Sequence, residues 1–294
     1  MELLQLKYFI TVARHEHMTR AAEQLRISQP ALSRTIASLE QSVGVQLFER
    51  TSKYIKLNAH GRSFLKNVEQ ALTILDNAER ELRDLEGEPA EPISLTFTVA
   101  SYVIPALLSA FRKKHPRITF RLQQNVPSYG QPDFDLLITS LPYQSSSETA
   151  TVPLLTEDIF LAIPCDHPLA KRTSIRLEEA AGEEFISLRR GSNLRELTEH
   201  LCRLTGFAPN IVFESDNPSI VRGLIGEGQG VALFPAVTWG GSIGSSSVLL
   251  PIEEPVCKRT IGMVWNTNRY VSRSTELFKE FAVRYFNNFT SELR

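Results

Sequence analysis

The sequence predicts an α + α/β chain: a small helical head with a β wing, one long linker helix, and a larger C-terminal α/β domain. Three observations carry that prediction. Residues 1–60 hold short helix-period apolar patterns followed by an alternating hairpin. Residues 61–88 hold an unbroken heptad repeat, and strand and helix patterns alternate from residue 92 to residue 294. At 294 residues the chain is also about twice the ~150 residues of a typical single domain.

Composition narrows the class. With 42% apolar and 22% charged residues, the chain is neither a disordered tail, nor a collagen-like rod, nor a membrane-embedded protein. Cys165, Cys202 and Cys257 lie 37 and 55 residues apart, which is no metal-ligand spacing, and an odd count argues against a disulfide framework. No stretch approaches the ~18–20 apolar residues of a membrane span. The first residues, MELLQLKYFITVARHEH, read as an amphipathic helix that stays in the protein and not as a secretion signal. The expectation is a soluble, cytoplasmic protein with no membrane partner.

Net charge is only −1, but it is unevenly spread. Residues 1–66 carry ten Lys and Arg against five acids, a balance of +5; residues 67–88 carry two Arg against seven acids, a balance of −5. A basic head on an acidic neck suits a head that meets a polyanion.

Within the head, Leu3, Leu6, Phe9, Ile10 and Ala13 recur at helical spacing and give a first helix. Thr19 is an N-cap candidate for a second helix over Arg20–Leu25, whose Ala21 and Ala22 let a neighbour approach closely. After a turn at Arg26 and Ile27, Ser28 caps a third helix with Pro30 in its first turn. Leu32, Ile36 and Leu39 form its buried stripe and leave Gln29, Ser33, Arg34 and Ser38 outside. Gln pairs with adenine and Arg with guanine in a major groove about 12 Å wide, while Ser reaches a phosphate or a base edge. Two short helices joined by a tight turn, the second exposing such side chains, form a helix-turn-helix; a small bundle with an ordinary solvated face is the alternative. Gly44 then breaks the chain, and 45–57 reads as a two-stranded wing whose tip carries Arg50, Lys53 and Lys56, suited to phosphate.

The segment AAEQLRISQPALSRTIASLEQSVGVQLFER resembles the winged helix-turn-helix of LysR-type transcriptional regulators. The match rests on Ala21, Ala22, Leu25, Ser28, Gln29, Pro30, Ala31, Leu32, Ser33, Ile36, Leu39, Glu40, Leu47, Phe48 and Arg50 in one register. The family usually continues Leu-Thr-x-Ala-Gly; here Leu57-Asn58-Ala59-His60-Gly61 stands instead, and Asn58 still suits a helix cap. The resemblance implies Gln29, Pro30, Ser33 and Arg34 as base-reading residues, with Thr19, Ser28, Ser38, Arg50, Lys53 and Lys56 on the DNA backbone. It implies double-stranded DNA, a second and fourth copy of the chain, RNA polymerase and a small-molecule effector as partners, and no cofactor.

From Gly61 onward, Phe64, Val68, Ala71, Leu75, Ala78, Leu82 and Leu85 step by four and three in a strict 3.5-residue repeat, ended by Gly87, Pro89 and Pro92. Such a seam seeks a partner helix; packing on its own domain is the alternative. The resemblance makes this the dimerisation helix, over 61–88 after a winged head of 1–60.

Beyond it, strands are expected at Ile93–Val99, Ile118–Leu122, Phe134–Ile138, Ile159–Ile163, Phe185–Leu188, Ile211–Glu214, Val231–Phe234 and Arg259–Trp265. Helices are expected at Ser101–Lys114, Leu194–Thr205, Ser219–Glu227 and Thr275–Phe289. The alternation predicts parallel sheets covered on both sides, and about 200 residues predict two lobes. Segments 153–170, 206–209 and 228–235 are similar to the same family's C-terminal domain, which implies a fold like that of periplasmic solute-binding proteins. The effector-binding domain would span 92–294, with lobe I at 92–163 and 266–294 and lobe II at 164–265. Ligands in such folds sit at strand C-terminal ends, where helix N-termini offer N–H groups. That rule nominates Ser101, Tyr102, Thr139, Ser140, Gly191, Ser192, Ser215 and Asp216, although each hydroxyl reads equally as a simple cap. Only about a dozen residues, 124–135, stand where the family commonly places a helix. His167 has no second His at metal spacing, and the serines of 240–247 lack the His and Asp of a nucleophilic site.

The resemblance implies a regulator in which effector binding changes how dimers pair and so the spacing or bend of DNA between half-sites. The alternative is an enzyme or a solute-binding protein with an accessory head, for which the sequence offers neither a catalytic constellation nor a secretion signal.

Overall fold

The computed structural model describes residues 1–50, 54–86, 91–124, 134–144, 148–240 and 246–292. The chain divides into two compact units, one built on the residues before the 87–90 boundary and one holding most of the chain after it.

The first unit opens with α1 (Leu3–His15), α2 (Met18–Leu25) and α3 (Gln29–Val43). Phe9, Val12, Ala21, Leu32, Ile36 and Leu39 are fully buried between them. Each large apolar side chain so buried contributes about 1.5–3 kcal/mol relative to exposure. Ser28 caps α3, its Oγ accepting from Ala31 N–H at 3.4 Å. Thr19 does not cap α2. That role falls to His17, whose Nδ1 accepts from Arg20 N–H, so Thr19 lies inside the helix with its side chain exposed. The reason is that the helix begins earlier than the apolar pattern shows, on a residue whose ring nitrogen serves as acceptor.

The wing is β1 (Phe48–Arg50) paired antiparallel with β2 (Ile55–Leu57). It is tied to its neighbours through the backbone at Leu47 and Phe48. Buried Glu40, near the end of α3, accepts from Leu47 N–H at 2.8 Å and Phe48 N–H at 3.2 Å. The Leu47 carbonyl accepts from Asn58 N–H at 3.1 Å, where α4 (Ala59–Leu85) begins. Asn58 caps α4, its Oδ1 accepting from Gly61 N–H at 2.8 Å. At Gly61 a Cβ would stand 2.0 Å from the Leu47 carbonyl oxygen, so only glycine lets the helix start this close.

The apolar stripe of α4 has two fates. Phe64 and Val68 join the head core, and Phe64 meets Phe9 edge-on at 5.2 Å, so the own-domain alternative holds for this part. Further along, Leu75, Leu82 and Leu85 are 50%, 63% and 77% exposed, and Ala71 and Ala78 are exposed as well.

The second unit is α/β, but its main sheet is mixed. β3 (Ile93–Phe97) runs parallel to β4 (Phe120–Gln124) and β5 (Leu136–Leu141). β6 (Thr149–Pro164) and β11 (Lys258–Asn266) are antiparallel to each other, and β11 is antiparallel to β5. The end of β6 carries β9 (Ala232–Pro235) and β10 (Ser247–Pro251), giving the order β10-β6-β11-β5-β3-β4 with β9 also on β6. β7 (Glu184–Leu188) and β8 (Asn210–Ser215) form a separate parallel pair, bridged to the sheet through Phe185 and Val231. The wholly parallel expectation fails because β6 leaves the first lobe and β11 returns to it, and two strands running opposite ways between the same lobes pair antiparallel.

Helices α5 (Ile104–Lys114) and α8 (Arg273–Glu292) cover the first lobe, where Phe111, Phe278 and Phe286 are buried with Leu95, Ile261 and Met263. Helices α6 (Asn193–Leu204) and α7 (Pro218–Gly226) cover the second. Ile261 and Met263 are buried in the first core and Cys257 in the second, so β11 passes from one core to the other between them. Two strand features escaped the pattern: β10, and the first ten residues of β6, which alternate less cleanly. The shortened 124–135 connection lies largely outside the described residues, as does most of the 240–247 loop.

Removing the Glu40 carboxylate leaves two buried N–H groups without an acceptor, each worth about 1–3 kcal/mol. Glu40→Ala is expected to destabilise the head by that order, with Glu40→Gln, which keeps one acceptor oxygen, intermediate. Gly61→Ala forces backbone apart and is expected to cost about 3 kcal/mol or more. Amide hydrogen exchange across residues 29–57 measures all three; unchanged protection would contradict the assignment.

Candidate DNA-binding and effector-binding surfaces

In the first unit, the three fully buried residues Leu32, Ile36 and Leu39 fix which way α3 faces. Gln29, Pro30 and Arg34 are then exposed in its first turns and Ser33 is half-buried beside them. The Arg34 Nε donates to the Pro30 carbonyl at 3.4 Å, which lays the side chain along the helix while leaving other donors on the guanidinium. Ser28 and Ser38 are exposed; the Ser38 hydroxyl accepts from Gln5 Nε2 at 3.3 Å, tying α3 to α1. Lys56 is exposed on β2, and Lys53 and the Arg50 side chain lie outside the described residues.

The second unit places the nominated residues in two groups, one per lobe. In the first lobe they sit at the neighbouring C-terminal ends of β3 and β5. The chain leaves β3 through Ala100 at φ 61°, a left-handed conformation unusual for a residue with a Cβ, and the Ala100 carbonyl caps α5 by accepting from Ile104 N–H at 3.0 Å. Ser101 is half-buried and Tyr102 63% exposed in this turn. Thr139 is buried and shares a 2.8 Å hydrogen bond with Thr98 across the strands. Ser140 is buried, and its hydroxyl has no hydrogen-bond partner among the described residues.

In the second lobe, Gly191 turns at φ 82° and Ser192 caps α6, its Oγ accepting from Arg195 N–H at 3.3 Å. Ser215 is spent on a local turn, accepting from Asn217 N–H at 3.1 Å, and Asp216 is exposed. For Ser192 and Ser215 the cap and turn readings account for the hydroxyls.

Sequence reasoning missed the polar centre between the lobes. Glu157 on β6 and Arg259 on β11 face each other in register and are both buried. The Glu157 carboxylate accepts from Arg259 Nε at 2.7 Å, from Thr238 Oγ1 at 2.7 Å, and from the N–H groups of Val237 and Thr238 at 2.9 and 2.8 Å. Four donors on one buried carboxylate compensate its desolvation. They also fix the 236–240 turn of the second lobe against both crossing strands. No local spacing announces this cluster, since its members lie 80, 81 and 102 residues from Glu157.

Residues 3–62 match the family model described as "Bacterial regulatory helix-turn-helix protein, lysR family", and residues 87–287 match "LysR substrate binding domain". The chain belongs to the LysR family. A curated relative from Bacillus subtilis (strain 168), "Uncharacterized HTH-type transcriptional regulator YybE", is 35% identical over 98% of this chain and 100% of its own length. The "Transcriptional dual regulator GltC" of the same organism is 34% identical over 98% of each chain. Among solved structures, "Effector binding domain of QuiR in complex with shikimate" is similar at a TM-score of 0.57 and 27% identity, over 67% of this chain and 98% of that one. This LysR-family chain is thus a DNA-binding transcription regulator with a two-lobed effector-binding domain. Among its described residues no helix is long and apolar enough to cross a membrane, and no cluster of His, Cys, Asp and Glu would hold a metal.

The cysteines divide sharply. Burial pushes the Cys202 thiol up to about 12 and the Cys257 thiol up to about 11, while Cys165 is exposed. The thiolate is the reactive form, so raising the pKa removes it at neutral pH. In native protein at pH 7–8, a thiol-specific reagent is expected to modify Cys165 quickly and the other two only after unfolding. Fast labelling of all three would contradict the burial. Mass spectrometry of peptides after timed labelling reads the result.

Proposed function

We propose that two or four copies of this chain bind a two-fold DNA site, each placing α3 in the major groove, with Gln29, Pro30, Ser33 and Arg34 reading bases. Thr19, Ser28, Ser38, Arg50, Lys53 and Lys56 then hold the backbone. The observation that carries this reading is the exposed polar face of α3, fixed by a fully buried opposite face in a head with a +5 charge balance. Phosphate contacts supply affinity, and base contacts supply sequence.

The exposed Leu75, Leu82 and Leu85 of α4 support its role as the dimerisation helix, since a 3.5-residue apolar seam facing water is relieved by a second helix. Paired heads then match paired half-sites. Effector binding between the lobes biases how copies pair on DNA, and so how the bound regulator meets RNA polymerase. The role is regulatory and not enzymatic: the relatives are named as regulators, and Glu157, Arg259 and Thr238 are committed to holding strands and a turn. A DNA-binding task and the absence of a membrane-crossing helix among the described residues support a cytoplasmic location.

Arg34→Ala is expected to abolish discrimination between target and random duplex, whereas Lys53→Ala weakens both about equally and lowers the salt slope by about one. Fluorescence anisotropy over a salt series on both duplexes separates the roles; equal loss on every sequence for both variants would refute them. Replacing Leu75 and Leu82 together by Glu is expected to shift sedimentation toward monomer and to weaken binding to a two-half-site duplex. An unchanged oligomer would remove α4 from the interface.

A further inference from the structure

Beyond the head, α4 is covered on its polar side and bare on its apolar one. From residue 74 to residue 86 only Asn77, Arg80 and Asp84 are half-buried, while Leu75, Leu82 and Leu85 are exposed. A piece of chain from far along the sequence, Asn268–Tyr270, belongs to the same compact unit as α4. The Asn77 side chain holds it with both ends of its amide. Nδ2 donates to the Asn268 carbonyl at 2.7 Å, and Oδ1 accepts from Tyr270 N–H at 2.7 Å. Two turns on, the Asp84 carboxylate accepts from the Tyr270 hydroxyl at 2.9 Å. At about 100° per residue, Asn77 and Asp84 share one helix face, about 120–140° round from the Leu75 and Leu82 seam. The segment has little slack. Before it, the Thr267 N–H and hydroxyl both donate to the Glu148 carbonyl, at 3.2 and 3.3 Å, at the end of β11. After it, Ser272 Oγ accepts from Thr275 N–H at 3.2 Å in the first turn of α8.

We propose that Asn77, Asp84 and Tyr270 form a clasp that couples α4 to β11 and α8, the elements flanking the segment in the chain, and so sets the separation at which two dimers bind DNA together. The proposal rests on the reading of α4 as the dimerisation helix of a regulator that acts in two or four copies. Only Asn and Gln carry a donor and an acceptor in one rigid plane, so Asn77 meets the backbone of the segment as a neighbouring strand would. The covalent passage from α4 to β3 is a single link, about which a helix can turn. A second attachment at Asn77 removes that freedom. The clasp also leaves the Leu75 and Leu82 seam bare, so a partner helix and the clasp hold α4 at the same time, on different faces. A displacement of β11 or α8 then reaches the DNA-binding head through residues 268–271 and the helix they grip. All three clasp residues are positioning residues: they act on the head through α4.

Asn77→Ala removes both backbone bonds at a helix position where alanine is the best former, so α4 itself is not weakened. In the full-length protein it is expected to speed amide exchange in a peptide spanning 266–275 about tenfold, with the melting temperature unchanged. Tyr270→Phe deletes only the bond to Asp84 and is expected to act in the same direction, whereas Asp84→Asn, which keeps an acceptor for the phenol, matches the parent. The functional readout uses duplexes that carry two copies of a site selected by the parent protein from a random pool. Their separation is stepped by about 5 base pairs, half a helical turn. The parent is expected to bind in-phase pairs about tenfold tighter than out-of-phase pairs, Asn77→Ala to bind both within about twofold, and both proteins to bind a single site equally. Unchanged exchange in Asn77→Ala would overturn the clasp. A phase preference that survives Asn77→Ala, or that the parent itself lacks while binding single sites, would overturn the coupling and leave the regulator reading standing. A parent that selects no duplex at all would overturn that reading, and the proposal with it.

Discussion

The head of this protein depends on the backbone of one residue, Leu47, and on the buried Glu40 carboxylate that holds it. The Leu47 N–H is bound from α3 and its carbonyl from the first residue before α4, with Gly61 pressed against the oxygen. The third helix, the wing and the long fourth helix therefore meet within a few ångströms and cannot move independently. Phe9, Phe48 and Phe64 then fill the space around that junction from three different elements, the Phe9 ring centre lying 5.4 Å from that of Phe48 and 5.2 Å from that of Phe64. Apolar burial supplies the bulk of the stability, but it is non-directional; the hydrogen bonds to Glu40 set the angle at which the wing leaves α3.

The second unit repeats this logic on a larger scale. Its lobes are joined by β6 and β11, and the Glu157 carboxylate gathers donors from Arg259 and from the 236–240 turn at that junction. A buried ion pair of this kind is a weak source of net stability but a strong source of geometry, because moving either partner exposes an uncompensated charge. The turn it holds is the one that seats Tyr102. The crossing strands and the exposed aromatic that rests on Gly240 are thus parts of one arrangement.

Legibility followed the range of the interactions. Helix periods in α1, α3, α4, α6, α7 and α8, the Ser28 and Asn58 caps, and the buried stripe of α3 were readable because each depends on residues within a turn or two. Thr19 was misassigned because His is an infrequent cap and propensity favoured the neighbouring hydroxyl. The heptad of α4 was seen as one seam, although Phe64 and Val68 face their own head, since periodicity states that a face is apolar and not what covers it. Of the eight residues nominated around the crevice, the position of Ser140 as a buried hydroxyl without a partner emerged only from the fold. Gly240, Glu157 and Arg259 were not nominated at all.

The sequence by itself determined most of the head: its helices, the Ser28 and Asn58 caps, charged face and wing strands follow from patterns within some sixty residues, because local hydrogen bonding and amphipathic spacing are short-range. It also determined that α/β layers follow a long helix. Only the tertiary structure decided that the main sheet is mixed, where the crossing strands return, and which side chains face one another at the crossing. Those outcomes rest on pairs separated by about a hundred residues, such as Glu157 with Arg259, and a one-dimensional pattern does not record which distant strands will lie side by side.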